Sequence, residues 1–178
     1  MPMFRFLLFD TGVILQAHKV RVWESLTRKC RVTVARSVAD EALYWEDEDG
    51  RHPIDLNASI KKGEIYCVEM SLSQVNSLRE KFDATYLERM DPGETESIAF
   101  LVSSDERWLL ASGDAFAYRI LGQMGLGDRG ISLEEILERV GLGRRVEYAH
   151  TKEFREKSTL RGQQENIMGR GLKKGPLD

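Results

Sequence analysis

Cysteine is nearly missing from this chain: Cys30 and Cys67 are the only two among 178 residues. Two distant thiols make neither a zinc pattern nor a disulfide framework, so a reducing, cytoplasmic setting is the expectation. Long hydrophobic runs are missing too. No stretch approaches the roughly 18–20 apolar residues of a membrane span, which predicts no membrane partner. The apolar opening MPMFRFLLFD carries Arg5 and lacks a small-residue cleavage site, so it reads as a first strand and not as a signal peptide. Proline is sparse, with four in all, and no internal repeat is visible. His18, His52 and His150 show no metal-ligand spacing and read as structural. What is left is an ordinary globular composition, 42% hydrophobic and 31% charged, in a length that suits one domain with a real core.

The charge is small but uneven. From Arg144 onward nine basic residues face five acidic ones, a net +4 that leaves −7 for the rest of a chain whose formal charge is −3. An acidic body with a basic end fits a metal site plus a phosphate-binding arm rooted at Arg144 and Arg145. A solvated terminus fits the same counts. The final 20 residues, rich in Gly, Gln, Lys and Arg, lack a periodic apolar face. Residues 144–178 are therefore expected to form a basic, mobile tail after a domain spanning 1–143.

Within that domain Phe4 to Phe9 is an apolar run broken only by Arg5, too short for a helix and suited to a strand buried on both faces. Val20, Trp23, Leu26 and Cys30 recur at helical spacing over 17–30. RVTVA (31–35) reads as a second strand, and 37–45 as a short helix burying Val38, Ala42 and Trp45. Residues 46–75 look like an insertion: a loop over 46–57, then a hairpin about Lys61-Lys62-Gly63 or at least a strand at 64–70. Ser71 and Gln74 form a capping box that opens a helix to about Phe82. Pro92 marks the first position of another through about Ser103. WLLAS (108–112) is a core strand, residues 115–124 a helix, and Ser132 with Glu135 caps a last one ending at Gly141. Short apolar strands alternating with helices predict an α/β fold, a three-layer α/β/α sandwich around a parallel sheet.

In such sheets ligands gather beyond the carboxyl ends of the strands. Four acids fall there: Asp10 after the first strand, Glu41 in the helix after RVTVA, Glu94 at the start of the helix feeding WLLAS, and Asp114 just past it. Buried carboxylates brought together repel and take up protons unless a cation sits among them. An all-oxygen donor set points to Mg²⁺ or Mn²⁺. Such ions activate water and stabilise the charge of an in-line attack on a phosphodiester.

The runs FLLFDTGVI, SVADEALYW, GETESIAFL and LLASGDAFAYRILGQMGL together resemble the PIN-domain family. That resemblance covers roughly residues 4–142, and its motifs come in the family's order. It implies a Mg²⁺- or Mn²⁺-dependent ribonuclease, often the VapC-type toxin of a toxin–antitoxin pair. It also implies RNA as substrate, an antitoxin as a further partner, and a homodimer. Carried over by position, Asp10, Glu41, Glu94 and Asp114 form the site, with Asp10, Glu94 and Asp114 on the metal. Thr11 and Ser112 orient them, and Glu96 competes with Glu94 or supports it. The chain departs from the pattern where Gly113 and Ala115 flank Asp114, in the longer 46–75 connection, and beyond Gly143.

Each residue also has a plainer reading. Asp10 is able to cap the helix or turn that follows it, Glu94 to serve a capping box with Asp91, and Asp114 to be an N-cap. Glu41 belongs to a run of acids that reads as a solvated face. Arg119, one turn beyond Asp114, is either a phosphate contact or half of a surface salt bridge. Trp23 and Trp45 read as core. Two other functions compete with the nuclease. One is a non-catalytic PIN-like module binding RNA or protein. The other is a haloacid-dehalogenase-like phosphatase with Asp10 as nucleophile, against which stands Gly12 where the second Asp belongs.

Overall fold

The computed structural model describes residues 4–173. Lys174 and the other final residues of the expected tail, and the first three of the chain, lie outside them. Four short strands make one parallel sheet in the order β5-β2-β1-β6, with β1 at Leu7–Phe9, β2 at Val32–Ala35, β5 at Tyr66–Val68 and β6 at Leu109–Ala111. Phe9 is in register with Val34 on one side and Ala111 on the other. The α/β class with a parallel sheet is as expected.

Alternation within β1 explains the layers. Leu7 and Phe9 point into a core shared with Val32, Val34, Leu26 and Ile136. Leu8 points the other way, into a core with Leu110, Phe82, Ile98 and Phe116. The first is roofed by α1 (Thr11–Lys19), α2 (Trp23–Lys29) and α9 (Leu133–Arg139). The second is roofed by α5 (Leu72–Arg79), α6 (Ala84–Leu87), α7 (Pro92–Ser103) and α8 (Ala115–Gln123). Both faces of the sheet are covered, an arrangement compatible with three layers. Among the described residues no helix is long and apolar enough to cross a membrane.

The capping signals were legible. Ser71 and Ser132 form full capping boxes with Gln74 and Glu135, and Pro92 opens α7 with Asp91 as its N-cap. Three local readings need correction. The helix expected over 17–30 is two helices, α1 beginning straight after Asp10 and α2 after a break. The helix expected through Trp45 stops early: α3 covers Arg36–Glu41, and Tyr44–Asp47 is a strand, β3, paired antiparallel with β4 (Gly50–Pro53). The hairpin of the insertion is thus here, its turn closed by Gly50 at φ 119°, which favours glycine. The stretch taken for a hairpin at Lys61–Gly63 ends a short helix, α4 (Leu56–Lys61), capped by Asp55. A ladder of stacked rings holds the hairpin to the body. Trp23 lies 5.0 Å from His18, His18 6.3 Å from Trp45, and Trp45 4.2 Å from His52.

The largest difference lies after Gly143. Much of the expected tail is α10, Lys152–Ile167, docked along α8. A narrow apolar stripe hides such a helix from periodicity, because its contact runs through small residues instead. Gly122 of α8 faces Thr159, and Gly162 of α10 faces the Arg119 backbone. Arg119 itself is buried, with two nitrogens on the Glu165 carboxylate at 2.7–3.1 Å. It is therefore not a free phosphate contact. Neither does it make a surface salt bridge, since its partner is 14% exposed. Tyr86 donates to the same carboxylate, and the Gln123 amide joins the network from α8. Past the helix, Lys173 donates its backbone N–H to Lys81, so the chain returns to the end of α5.

Close approach of α8 and α10 generates a test. A Cβ at Gly162 falls 2.1 Å from the Arg119 carbonyl oxygen, whereas one at Gly143 meets nothing within 4 Å. Gly162→Ala is expected to destabilise the fold by about 1–3 kcal/mol in urea denaturation and to expose α10 amides to exchange first. Gly143→Ala should be neutral. Equal stability of the two variants would show that the helices are not in contact.

Candidate active site

Three helices begin at one place. Asp10 N-caps α1, its Oδ1 accepting from Val13 N at 2.9 Å. Asp91 N-caps α7 through Glu94 N at 2.8 Å, and Asp114 N-caps α8 through Phe116 N at 2.7 Å. All three caps line a single pocket of about 260 Å³ at the carboxyl ends of β1 and β6. Glu41 and Glu94 line it as well, and so do Gly12, Gly113 and His150. Asp10, Glu41, Glu94 and Asp114 are thus brought together, with Asp91 as a further acid. The helix starts supply partial positive charge that offsets some of the acids' mutual repulsion.

The loop after β6 is tightly held. The Ser112 hydroxyl donates to Asp10 Oδ2 and accepts from Asp114 N at 2.9 Å, while Gly113 N donates to the same Asp10 oxygen at 3.1 Å. Beneath it the fully buried Tyr118 hydroxyl accepts from Ser112 N at 3.0 Å and lies 2.9 Å from the carbonyls of Ser112 and Ile131. Ser112 therefore positions both strand-end acids. Thr11 does the same for Glu41, donating to its Oε2 at 3.0 Å. Glu41 stands at the end of α3 and is exposed, whereas Glu94 is buried at 4%. Glu96 serves elsewhere. Its carboxylate accepts from Ser37 N at 2.9 Å and Met70 N at 3.0 Å, fastening α7 to the start of α3 and the end of β5. Arg144 and Arg145 are exposed and do not line this pocket.

Electrostatics single out two of the acids. Burial pushes the Asp10 carboxyl up from 3.8 to about 6, against the hydrogen bonds from Ser112, Val13 and Gly113. Burial first, then the charges of Asp114, Asp91 and Asp10, push Glu94 from 4.5 to about 9. Glu94 also leaves Oε2 buried without any hydrogen-bond partner. A buried carboxylate oxygen left unpartnered in an acid-lined pocket would be satisfied by a proton or by a cation. Among the described residues the acids are nevertheless not drawn into a closed cluster with ready-made ligand geometry. They share a pocket without closing around one point.

Compared with models of known protein families and with curated proteins, the chain gives no match. Two of the site's residues escaped the sequence reading. Asp91 was legible only as a cap, since one side chain serves both ends. His150, in a one-turn 3₁₀ helix at Tyr148–His150, comes from beyond the expected domain end, and no motif signals it. Its ring is 6% exposed and stands over Gly113, where a Cβ would fall 2.5 Å from Cε1. Burial lowers its basicity, so the ring is held toward its neutral form.

Both raised carboxyls act on stability with the same sign. Well below pH 3.8 each is protonated, folded or not. As pH rises the unfolded chain releases these protons first, near 3.8 and 4.5, while the fold retains them to about 6 for Asp10 and about 9 for Glu94. Stability therefore falls with pH across these windows. Below about pH 6.5 His18 and His150, both held toward neutral by burial, work the other way. The metal-free protein is therefore expected to lose stability from about pH 7 to 9 in chemical denaturation, where Glu94 still titrates. Glu94→Gln should flatten that fall and gain on the order of 1 kcal/mol at pH 8. An unchanged pH slope in the variant would show that Glu94 is not the strained group.

Proposed function

We propose that this chain is a divalent-metal-dependent ribonuclease with a PIN-like fold. The observation that carries the reading is the buried, unpartnered Glu94 Oε2 in a pocket lined also by Asp10, Asp91, Asp114 and Glu41. The order of the four sequence motifs supports it independently. So does the donor chemistry: all-oxygen donors fit Mg²⁺ or Mn²⁺. Asp10, Glu94 and Asp114 are the residues that would hold the ion. When bound, it supplies the positive charge and water activation that phosphodiester hydrolysis needs.

The chain's own part is positioning. Ser112 Oγ and Gly113 N fix one edge of Asp10, and the Val13 amide fixes the other. Thr11 fixes Glu41. Glu94, which keeps its proton to about pH 9 without a cation, must release it when one binds. Affinity for the ion therefore rises with pH. On this reading RNA is the substrate; a toxin role, an antitoxin and a homodimer rest on the resemblance alone.

A second reading is favoured by a specific observation. Asp10, Asp91 and Asp114 each have a complete structural task as N-caps. A non-catalytic binding module would need them for nothing more. Mn²⁺ titration by calorimetry and RNA cleavage assays separate the two. Asp10→Asn keeps an oxygen for the Val13 amide, so the fold should survive. Its Mn²⁺-dependent RNA cleavage should drop by at least about a hundredfold, beyond the 10–100-fold typical of outer-shell partners. Full activity in that variant would overturn the assignment, and absence of Mn²⁺ binding by the unaltered protein would favour the binding module.

A further inference from the structure

The carboxylate pocket does not stand alone. Gly12 and His150 line it on one side and also line a neighbouring groove of about 320 Å³, together with Lys19, Tyr44 and Trp45. That groove shares Gln16, Lys19 and Glu147 with a further hollow of about 430 Å³ that includes Arg145 and Tyr148. The three hollows thus adjoin, in series from the acids past His150 to the segment before α10, beside α1 and the β3–β4 hairpin.

The furnishing of the path differs from that of the pocket. Tyr44 and Tyr148 are 43% and 53% exposed, so both rings are open to solvent. Arg51 stacks on Tyr44 at 4.5 Å. The groove's two acids are already matched, Glu46 by Arg51 and Glu147 by Lys19. Exposed rings suit the bases of a single strand better than a duplex, and Arg145 in the further hollow, which makes no ion pair among the described residues, suits its backbone. His150 sits at the junction. Its Nδ1 is buried without a partner. An unmet acceptor is less costly than an unmet N–H, which places the proton on Nε2. Among the described residues no Lys or Arg lines the carboxylate pocket, and the Thr11 hydroxyl there is spent on Glu41. His150 is left as the side-chain N–H donor on that side of the acids.

We propose that His150 donates through Nε2 to the backbone phosphate next to the one cleaved, and that the groove beyond it holds the flanking single strand. This rests on the nuclease reading. It assigns a binding role to a segment outside the region that resembles the family.

Steady-state cleavage of a single-stranded oligoribonucleotide in Mn²⁺ tests it, with His150→Phe filling the space over Gly113 without a donor. KM is expected to rise about tenfold, as for one hydrogen bond to a charged group, with kcat, Mn²⁺ affinity and Tm little changed. His150→Gln, which restores an N–H donor, should recover most of the loss, and Tyr44→Ala should raise KM for the single strand. Unchanged KM in His150→Phe, or an equal loss in His150→Gln, would overturn the proposal. A second arm uses a non-cleavable 2′-O-methyl strand and fluorescence anisotropy. If the unaltered protein cleaves nothing yet binds this strand, and His150→Phe weakens binding, the nuclease reading fails and the groove stands. If cleavage proceeds while the variant binds the strand as before, the groove fails and the nuclease reading stands.

Discussion

The convergence of three helix N-termini is the constraint on which the rest of the structure depends. A parallel sheet sends its chain out of every strand at the same edge, so the helices that follow β1 and β6 must begin there. The helix α7, which precedes β6, begins there too. Each start carries unsatisfied N–H groups that need an acceptor. Aspartate supplies it in all three cases, and the side chains that solve this local problem become neighbours. An acidic pocket follows from backbone geometry before any question of chemistry arises.

The neighbourhood is costly, and the surrounding residues offset the cost. Ser112, Gly113 and Thr11 donate to the acids, the buried Tyr118 braces the loop after β6, and helix starts add positive potential. Glu94 receives the least help, with burial and three negative neighbours working in one direction. A residue kept in such a setting lowers stability in the absence of a counter-ion, which is a common trade at functional sites. Glu96, two positions on, shows the alternative: three donors meet it and it holds the fold together.

The segment after Gly143 links packing to function. Helix α10 is fastened to α8 by glycine-mediated contact and by the Arg119–Glu165–Tyr86 network. That docking fixes the preceding 3₁₀ turn, and with it the imidazole over Gly113. Gly113 is therefore not merely a thin spot beside Asp114. Its missing side chain is the space the His150 ring occupies.

Much of this was legible in the linear order of residues. Apolar runs too short for helices announced β1, β2 and β6, and capping boxes announced α5 and α9, because strand burial and helix capping are local matters decided within a few residues. The same locality put Asp10, Glu94 and Asp114 at strand ends or helix starts, and Glu41 in the short helix after β2. What periodicity misread was non-local. Trp45 lies in a strand because β4 pairs with it and two histidines stack on it, and α10 exists because glycines let it approach α8 closely. Only tertiary structure decided that Asp91 joins the acids, that Glu96 and Arg119 turn away from them, and that His150 returns to their side. The sequence by itself determined which residues could cap, pair or carry charge. Which of them share one pocket depends on contacts between elements far apart in the chain, and no local pattern encodes those.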